Sequence, residues 1–78
     1  MSKSNSKNEA SIRLGQRIRG LRLSRKLSQE QLGDMAELSA KYLGEVERGV
    51  GNISVERLNK IAGVLGVDLR ELLDTDHQ

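Results

Sequence analysis

The sequence predicts an all-α domain built from five short helices. Apolar residues recur at helical spacing, and no segment alternates with the two-residue period of a strand. At four places an apolar residue precedes a good N-cap residue and another apolar residue lies at the fourth helical position, which is a hydrophobic staple. These N-caps are Ser28, Ser39, Ser54 and Asp68. The chain has no proline, and Gly49 and Gly66 follow helical patterns where a left-handed residue commonly ends a helix.

The first two helices are predicted from apolar spacing and capping. Leu14, Ile18 and Leu21 lie at i, i+4 and i+7, which makes one face of the first helix apolar. Ser28 and Gln31 have the spacing of a capping box, so we expect the second helix to begin directly after Ser28. All five helices together are predicted at about Ser11–Lys26, Gln29–Ala36, Ala40–Arg48, Val55–Leu65 and Leu69–Asp74.

The last three helices follow from the same signals. Leu43 and Val46 are predicted to face inward from the third helix, and the fourth helix carries a continuous apolar stripe. Asp68 and Glu71 form a second capping-box pattern at the start of the short fifth helix. The predicted core is Leu14, Ile18, Leu21, Leu27, Leu32, Met35, Ala36, Leu38, Leu43, Val46, Ile53, Leu58, Ile61, Leu65, Val67 and Leu72.

Composition excludes several classes of function. The chain lacks cysteine and has a single histidine, His77, so a transition-metal site or nucleophilic catalysis is not expected. Tyr42 is the one aromatic residue, which disfavours a single-strand binder that stacks bases on several rings. No apolar run approaches the ~18 residues of a membrane span. We therefore expect a cytoplasmic protein that is not an enzyme, has no membrane partner and needs no cofactor.

Charge is distributed unevenly along the chain. Residues 1–27 carry eight basic side chains against Glu9 alone, a local charge of +7, whereas the remainder sums to −5. Such asymmetry suggests a polyanion partner, although a solvated charged helix face gives the same pattern. Residues 1–9 are predicted as a flexible basic arm that either reaches the duplex or only aids solubility, and residues 75–78 as a disordered tail.

A link of about three residues, Glu37 to Ser39, separates the second and third helices. Because both helices must bury their apolar stripes in one core, this short link predicts a helix-turn-helix. Burying Leu43 and Val46 turns the opposite face of the third helix outward. This outward face either reads DNA bases or is an ordinary solvated helix surface. The outward residues are Ala40, Lys41, Gly44, Glu45 and Arg48. Lys41 can donate to guanine or phosphate, and Glu45 can accept from a cytosine amino group.

The motifs LSQEQL, LSAKYLGEVERG and LNKIAGVLGV, in this order and spacing, resemble the Cro/CI-type helix-turn-helix family, also called the XRE family. Within it, the chain is most similar to stand-alone regulators such as restriction–modification controller proteins. The resemblance implies a five-helix lambda-repressor-like domain over residues 10–74, with the helix-turn-helix at about 28–48. It also implies a transcriptional regulator that binds the major groove of double-stranded DNA.

The resemblance assigns roles to individual residues. Gln29 matches a phosphate-binding residue at a helix N-terminus, where exposed N–H groups favour an anion. Tyr42 matches a position that lies at the DNA backbone in some members and in the fold in others, and Arg22 and Glu47 match a structural ion pair between the first and third helices. The base-proximal positions are Ser39, Ala40, Lys41 and Glu45, and the phosphate-contacting positions after them are Arg48 and Asn52.

Four departures from the family pattern stand out. Gly33 replaces the usual alanine, which should weaken the second helix by up to ~1 kcal/mol. Glu37 occupies a turn position where glycine is common, so we expect it at positive φ. Ala40 offers a base only a methyl contact. Val50 and Gly51 replace basic residues, which removes phosphate contacts.

One recognition helix reads only a few base pairs, so useful specificity implies a homodimer on inverted half-sites about 34 Å apart. Val64, Leu69 and Leu73 are the predicted dimer interface, although they could instead cap the monomer's own core. With no room for an effector pocket, a small-molecule effector is not expected. The alternative function is an antitoxin-like protein that binds a partner toxin and autoregulates its operon, because the same fold serves both roles.

Overall fold

The computed structural model describes residues 9–50 and 52–73, and it confirms the all-α prediction. The five helices are α1 Glu9–Ser24, α2 Gln29–Ala36, α3 Ala40–Glu47, α4 Val55–Leu65 and α5 Leu69–Leu73. The bounds of α2 and α4 agree with the prediction, whereas α1 lies about two residues closer to the N-terminus at both ends. Glu9 is therefore helical rather than part of the predicted arm, and residues 1–8 and 74–78 lie outside the described residues.

Serine side chains begin three of the helices, as the sequence predicts. The hydroxyls of Ser28, Ser39 and Ser54 each accept a hydrogen bond from the backbone N–H three residues later. Ser28 forms the complete capping box, because its own N–H donates to Gln31 Oε1 over 2.8 Å. Each cap satisfies an N–H that would otherwise have no partner within its helix.

The first four helices end in the same way. A residue with φ between 60° and 79° follows each helix. The backbone N–H of the next residue donates a hydrogen bond to the helical carbonyl five residues before it, as in a Schellman motif. The left-handed residues are Lys26, Glu37, Gly49 and Gly66. Positive φ at Glu37 confirms the prediction for the turn, whereas Lys26 was predicted inside α1 and instead terminates it.

The core lies between all five helices. α1 and α2 pack against α3, α2 also packs against α4, and α5 lies across α1 and α4. The fully enclosed side chains include Ile18, Leu32, Leu43, Ile61, Leu65 and Leu72. The prediction for Met35 was wrong, because this side chain is 58% exposed. On a helix it points about 80° away from the centre of the stripe that Leu32 and Ala36 bury.

Two glycines set close backbone approaches around α3. A Cβ on Gly15 would lie 2.4 Å from the carbonyl oxygen of Val46, so α1 crosses α3 nearer than any other residue would allow. A Cβ on Gly33 would lie 2.4 Å from the carbonyl oxygen of Leu38. A methyl group at position 33 would therefore push the turn away from the helix, and the predicted weakening of α2 by Gly33 stays a prediction.

Candidate nucleic-acid interface

Helix α3 has one buried and one accessible face. Leu43 and Val46 are buried in the core, and Ser39 and Lys41 are exposed on the other side. Glu45 is half-buried, as is Ala40. The accessible side therefore presents a hydroxyl, an ammonium group, a carboxylate and a methyl group along one short helix.

A buried ion pair joins α1 to α3 behind this face. Arg22 Nε donates to Glu47 Oε2 over 2.6 Å and Arg22 Nη2 to Glu47 Oε1 over 3.0 Å. The two side chains are only 6% and 3% exposed. A third donor on Arg22, Nη1, reaches the carbonyl of Leu27 over 2.7 Å, so the guanidinium also holds the link between α1 and α2. The hydrogen bond from Arg22 to Glu47 raises the pKa of the guanidinium against the opposing effect of burial.

Gln29 joins this network from the first turn of α2. Its Nε2 donates to Glu47 Oε1 over 3.1 Å. A carboxylate only accepts hydrogen bonds, so it orients the amide of Gln29 with nitrogen inward and leaves the second N–H available. The side chains of Gln29 and Arg48 lie over Gly44, within 3.7 Å of where a Cβ would stand. Gly44, predicted on the outward face, is therefore buried beneath these two side chains.

A second small cluster links α3 to α4. The hydroxyl of Tyr42 donates to the carbonyl oxygen of Asn52 over 3.3 Å. The guanidinium carbon of Arg57 lies 5.3 Å from the centroid of the Tyr42 ring, within cation–π distance. Sequence reasoning missed Arg57, because an arginine in the first turn of an amphipathic helix carries no signal that separates it from a solvated one.

Some of the basic side chains have structural partners. Arg25 Nε donates to the carbonyl of Leu65 over 2.6 Å at the C-terminus of α4, where a cation is favoured. Lys60 Nζ lies 2.8 Å from Glu37 Oε1. The hydrogen bond from Lys60 lowers the pKa of Glu37, and the same contact raises the pKa of Lys60. Within the described residues, Lys41, Arg48 and Arg57 have no carboxylate at ion-pair distance.

Comparison with known proteins places this geometry in a family. Residues 18–72 match the model of the helix-turn-helix family HTH_3. The chain belongs to this family. Among the relatives of this helix-turn-helix protein, control protein C.BamHI of Bacillus amyloliquefaciens is 38% identical over 68 residues, covering 86% of this chain and 84% of the relative. The match confirms the resemblance stated from the motifs.

Solved structures of relatives have the same fold. The restriction-modification controller protein C.AhdI from Aeromonas hydrophila matches with a TM-score of 0.76 and 43% identity, covering 78% of this chain and 92% of that one. The structure of SinR, the Bacillus subtilis master regulator for biofilm formation, in complex with DNA matches with a TM-score of 0.74 and 35% identity. That match covers 78% of this chain and 98% of the other. These relatives are regulators and controller proteins rather than enzymes.

The described part of the chain shows neither a metal-binding cluster nor a helix able to cross a membrane. No group of three or more metal-ligating side chains occurs in residues 9–50 and 52–73. None of the helices in those ranges is both long and apolar enough to span a bilayer.

Proposed function

We propose that this helix-turn-helix protein is a transcriptional regulator that binds double-stranded DNA by placing α3 in the major groove. The observation that carries this proposal is the orientation of α3: its apolar face is buried against α1 and α2, and its accessible face carries Lys41 and Glu45. Lysine donates to guanine, and a carboxylate accepts from the cytosine amino group. Ser39 and Ala40, at the N-terminal end of α3, approach the bases first, Ala40 through a methyl contact.

The proposed phosphate contacts flank α3 on both sides. Gln29 offers the N–H that Glu47 leaves free, at the N-terminus of α2 where an anion is favoured. Arg48 is exposed at the end of α3, and Asn52 is exposed in the link that follows. Such contacts fix the register of the protein on the duplex, and the base contacts between them supply the specificity.

The proposed active form is a homodimer on an inverted repeat. Val64 and Leu69 are half-buried at the outer edge of α4 and α5, and Leu73 is 48% exposed. A two-fold interface uses the same patch from both copies, so an apolar edge on helices other than the recognition helix is suited to it. The relatives reported above are controllers and regulators, which supports this function over the antitoxin alternative.

Selection of bound duplexes from a random pool tests the proposal directly. A palindromic consensus with half-sites about one helical turn apart is the expected result. Recovery of no preferred sequence at moderate salt overturns sequence-specific binding. Sedimentation of wild type and Leu73→Glu at tens of micromolar tests the dimer: the variant should sediment as a monomer, and a wild-type monomer with and without DNA overturns the dimer.

Two substitutions separate base contacts from phosphate contacts on the selected duplex. Lys41→Ala should weaken binding and change the preferred base at one position of each half-site. Gln29→Ala should weaken all sequences about equally, because a phosphate contact carries no sequence information. An equal loss across all sequences for Lys41→Ala reassigns that lysine to the phosphate backbone.

A further inference from the structure

We propose that Arg57 is an additional phosphate-contacting residue, held beside the recognition helix by a cation–π contact with Tyr42. The inference rests on the proposed DNA-binding function and adds a residue from α4 to the interface. It starts from the contact between the Arg57 guanidinium and the Tyr42 ring, at 5.3 Å from the ring centroid.

The ring of Tyr42 is itself held on two sides. Its backbone belongs to the first turn of α3, where its N–H donates to the Ser39 hydroxyl over 3.0 Å. Its own hydroxyl donates to the carbonyl of Asn52 over 3.3 Å. The ring is therefore a fixed surface between the recognition helix and the link to α4. The guanidinium in contact with it lies beside the segment proposed to contact phosphate.

The charge of Arg57 is available for a ligand. In residues 9–50 and 52–73 it has no carboxylate within ion-pair distance, whereas Lys60, one turn further along α4, lies 2.8 Å from Glu37. A guanidinium in cation–π contact with an aromatic ring keeps the N–H donors at the edge of its plane, and these can bind phosphate oxygens in pairs. The cation–π contact also restricts the Arg57 side chain before binding, so less entropy is lost when the phosphate contact forms.

Tyr42 acquires a definite role from this arrangement. The resemblance leaves it either at the DNA backbone or within the fold. Here the half-buried ring supports Arg57 and the Asn52 backbone, so Tyr42 is a positioning residue for the phosphate contact.

The test compares Arg57→Gln with Lys60→Gln on a duplex that wild type binds, over a series of salt concentrations. Both variants lose one positive charge from the exposed surface of α4, so Lys60→Gln controls for long-range attraction. Arg57→Gln should weaken specific and non-specific binding alike, on the order of tenfold per protomer. It should also reduce the slope of log K against log salt concentration by about 0.9 per protomer. Lys60→Gln should leave both quantities near wild type.

Variants at Tyr42 test the positioning. Tyr42→Phe keeps the ring and should retain most of the affinity. Tyr42→Leu removes the ring and should weaken binding about two- to fivefold, and Arg57→Gln should cost less in the Tyr42→Leu background than in wild type. Arg57→Lys should preserve the salt slope yet lose affinity. An ammonium group keeps the charge, but it lacks the planar guanidinium that binds two phosphate oxygens at once. Circular dichroism of each variant checks that the helices remain folded.

The outcomes separate this inference from the proposed function. If wild type binds no duplex, the proposed function fails and the role of Arg57 fails with it. If wild type binds and Arg57→Gln behaves as Lys60→Gln does, only the role of Arg57 is overturned. A changed base preference in Arg57→Gln overturns the phosphate assignment and makes the residue a base reader. Equal effects of Arg57→Gln in both Tyr42 backgrounds overturn the positioning role of the ring.

Discussion

Breaking the ion pair between Arg22 and Glu47 should destabilise the fold far more than replacing both partners at once. The pair is nearly inaccessible to solvent, with side chains 6% and 3% exposed. Arg22→Met would leave the carboxylate of Glu47 with Gln29 as its one remaining side-chain donor among residues 9–50 and 52–73. Glu47→Leu would leave the guanidinium with the Leu27 carbonyl as its acceptor.

The magnitude follows from the cost of an unpaired buried charge. Removing one partner of a buried pair costs about 3–5 kcal/mol. At roughly 0.05–0.15 kcal/mol per residue, a chain of this length has a total stability of about 4–12 kcal/mol. Each single variant should therefore lose a quarter or more of the free energy of unfolding. For a domain of this size, 3 kcal/mol corresponds to a fall in Tm of at least about 12 °C.

The double variant Arg22→Met/Glu47→Leu should recover most of that loss. Apolar side chains of similar volume leave no charge buried, and such replacements are often neutral or stabilising. Urea denaturation of wild type, both single variants and the double variant measures the four free energies of unfolding. If the two single losses add in the double variant within about 0.5 kcal/mol, the residues are independent and the reasoning is refuted.

The same double variant separates stability from DNA binding. With Glu47 gone, the amide of Gln29 loses the carboxylate that orients it, so the double variant should bind duplex more weakly than wild type although it is stably folded. Wild-type affinity in the double variant would show that Gln29 contacts DNA without this support.

Three further predictions concern backbone geometry and exposed charge. Lys26→Gly should stabilise the protein by about 1 kcal/mol, measured by urea denaturation, because a left-handed conformation is unfavourable for a side chain with a Cβ. Gly15→Ala should destabilise the protein by about 1–3 kcal/mol, because the methyl group would meet the α3 backbone. Gly20→Ala in the same helix is the control: its methyl group would meet nothing within 4 Å, so it should stabilise the protein by up to about 1 kcal/mol. Lys60→Gln should lower Tm slightly at neutral pH and have no effect in acid. The contact with Lys60 lowers the pKa of Glu37 in the folded protein. The ion pair therefore stabilises the fold above the ordinary glutamate pKa, and this contribution disappears as pH falls through the lowered pKa of the folded state.

The helix starts were predictable because capping is local. A serine hydroxyl and the N–H three residues later belong to one short segment, so Ser28, Ser39 and Ser54 reveal the starts of α2, α3 and α4 without knowledge of the fold. The ends were predictable where a glycine marks them. Lys26 carries no such mark, and its left-handed conformation depends on the following residue, Leu27, packing against the core.

The residues of the site were predictable only where a local sequence pattern or the family resemblance identified them. The faces of α3 follow from the spacing of Leu43 and Val46, and the pairing of Arg22 with Glu47 came from the resemblance. These two residues lie 25 positions apart, and neither periodicity nor composition joins residues at that distance. Neither a sequence pattern nor the resemblance identified Arg57. Its contact with Tyr42 depends on how α4 docks beside α3, which is a property of tertiary packing.

The size of α3 limits how much sequence one protomer can read. Its eight residues span about 12 Å, which is the length of about three to four base pairs. A good bidentate base contact discriminates by about 1–3 kcal/mol, and Lys41 and Glu45 are the two charged residues of α3 proposed to contact bases. Two such contacts give at most about 6 kcal/mol, whereas selecting one site among about 10⁶ competitors requires about 8 kcal/mol. Doubling the contacts through a two-fold dimer exceeds that threshold, so the selected duplexes should show two short specific blocks about one helical turn apart. A single block that retains full affinity when its inverted partner is scrambled would contradict this reasoning.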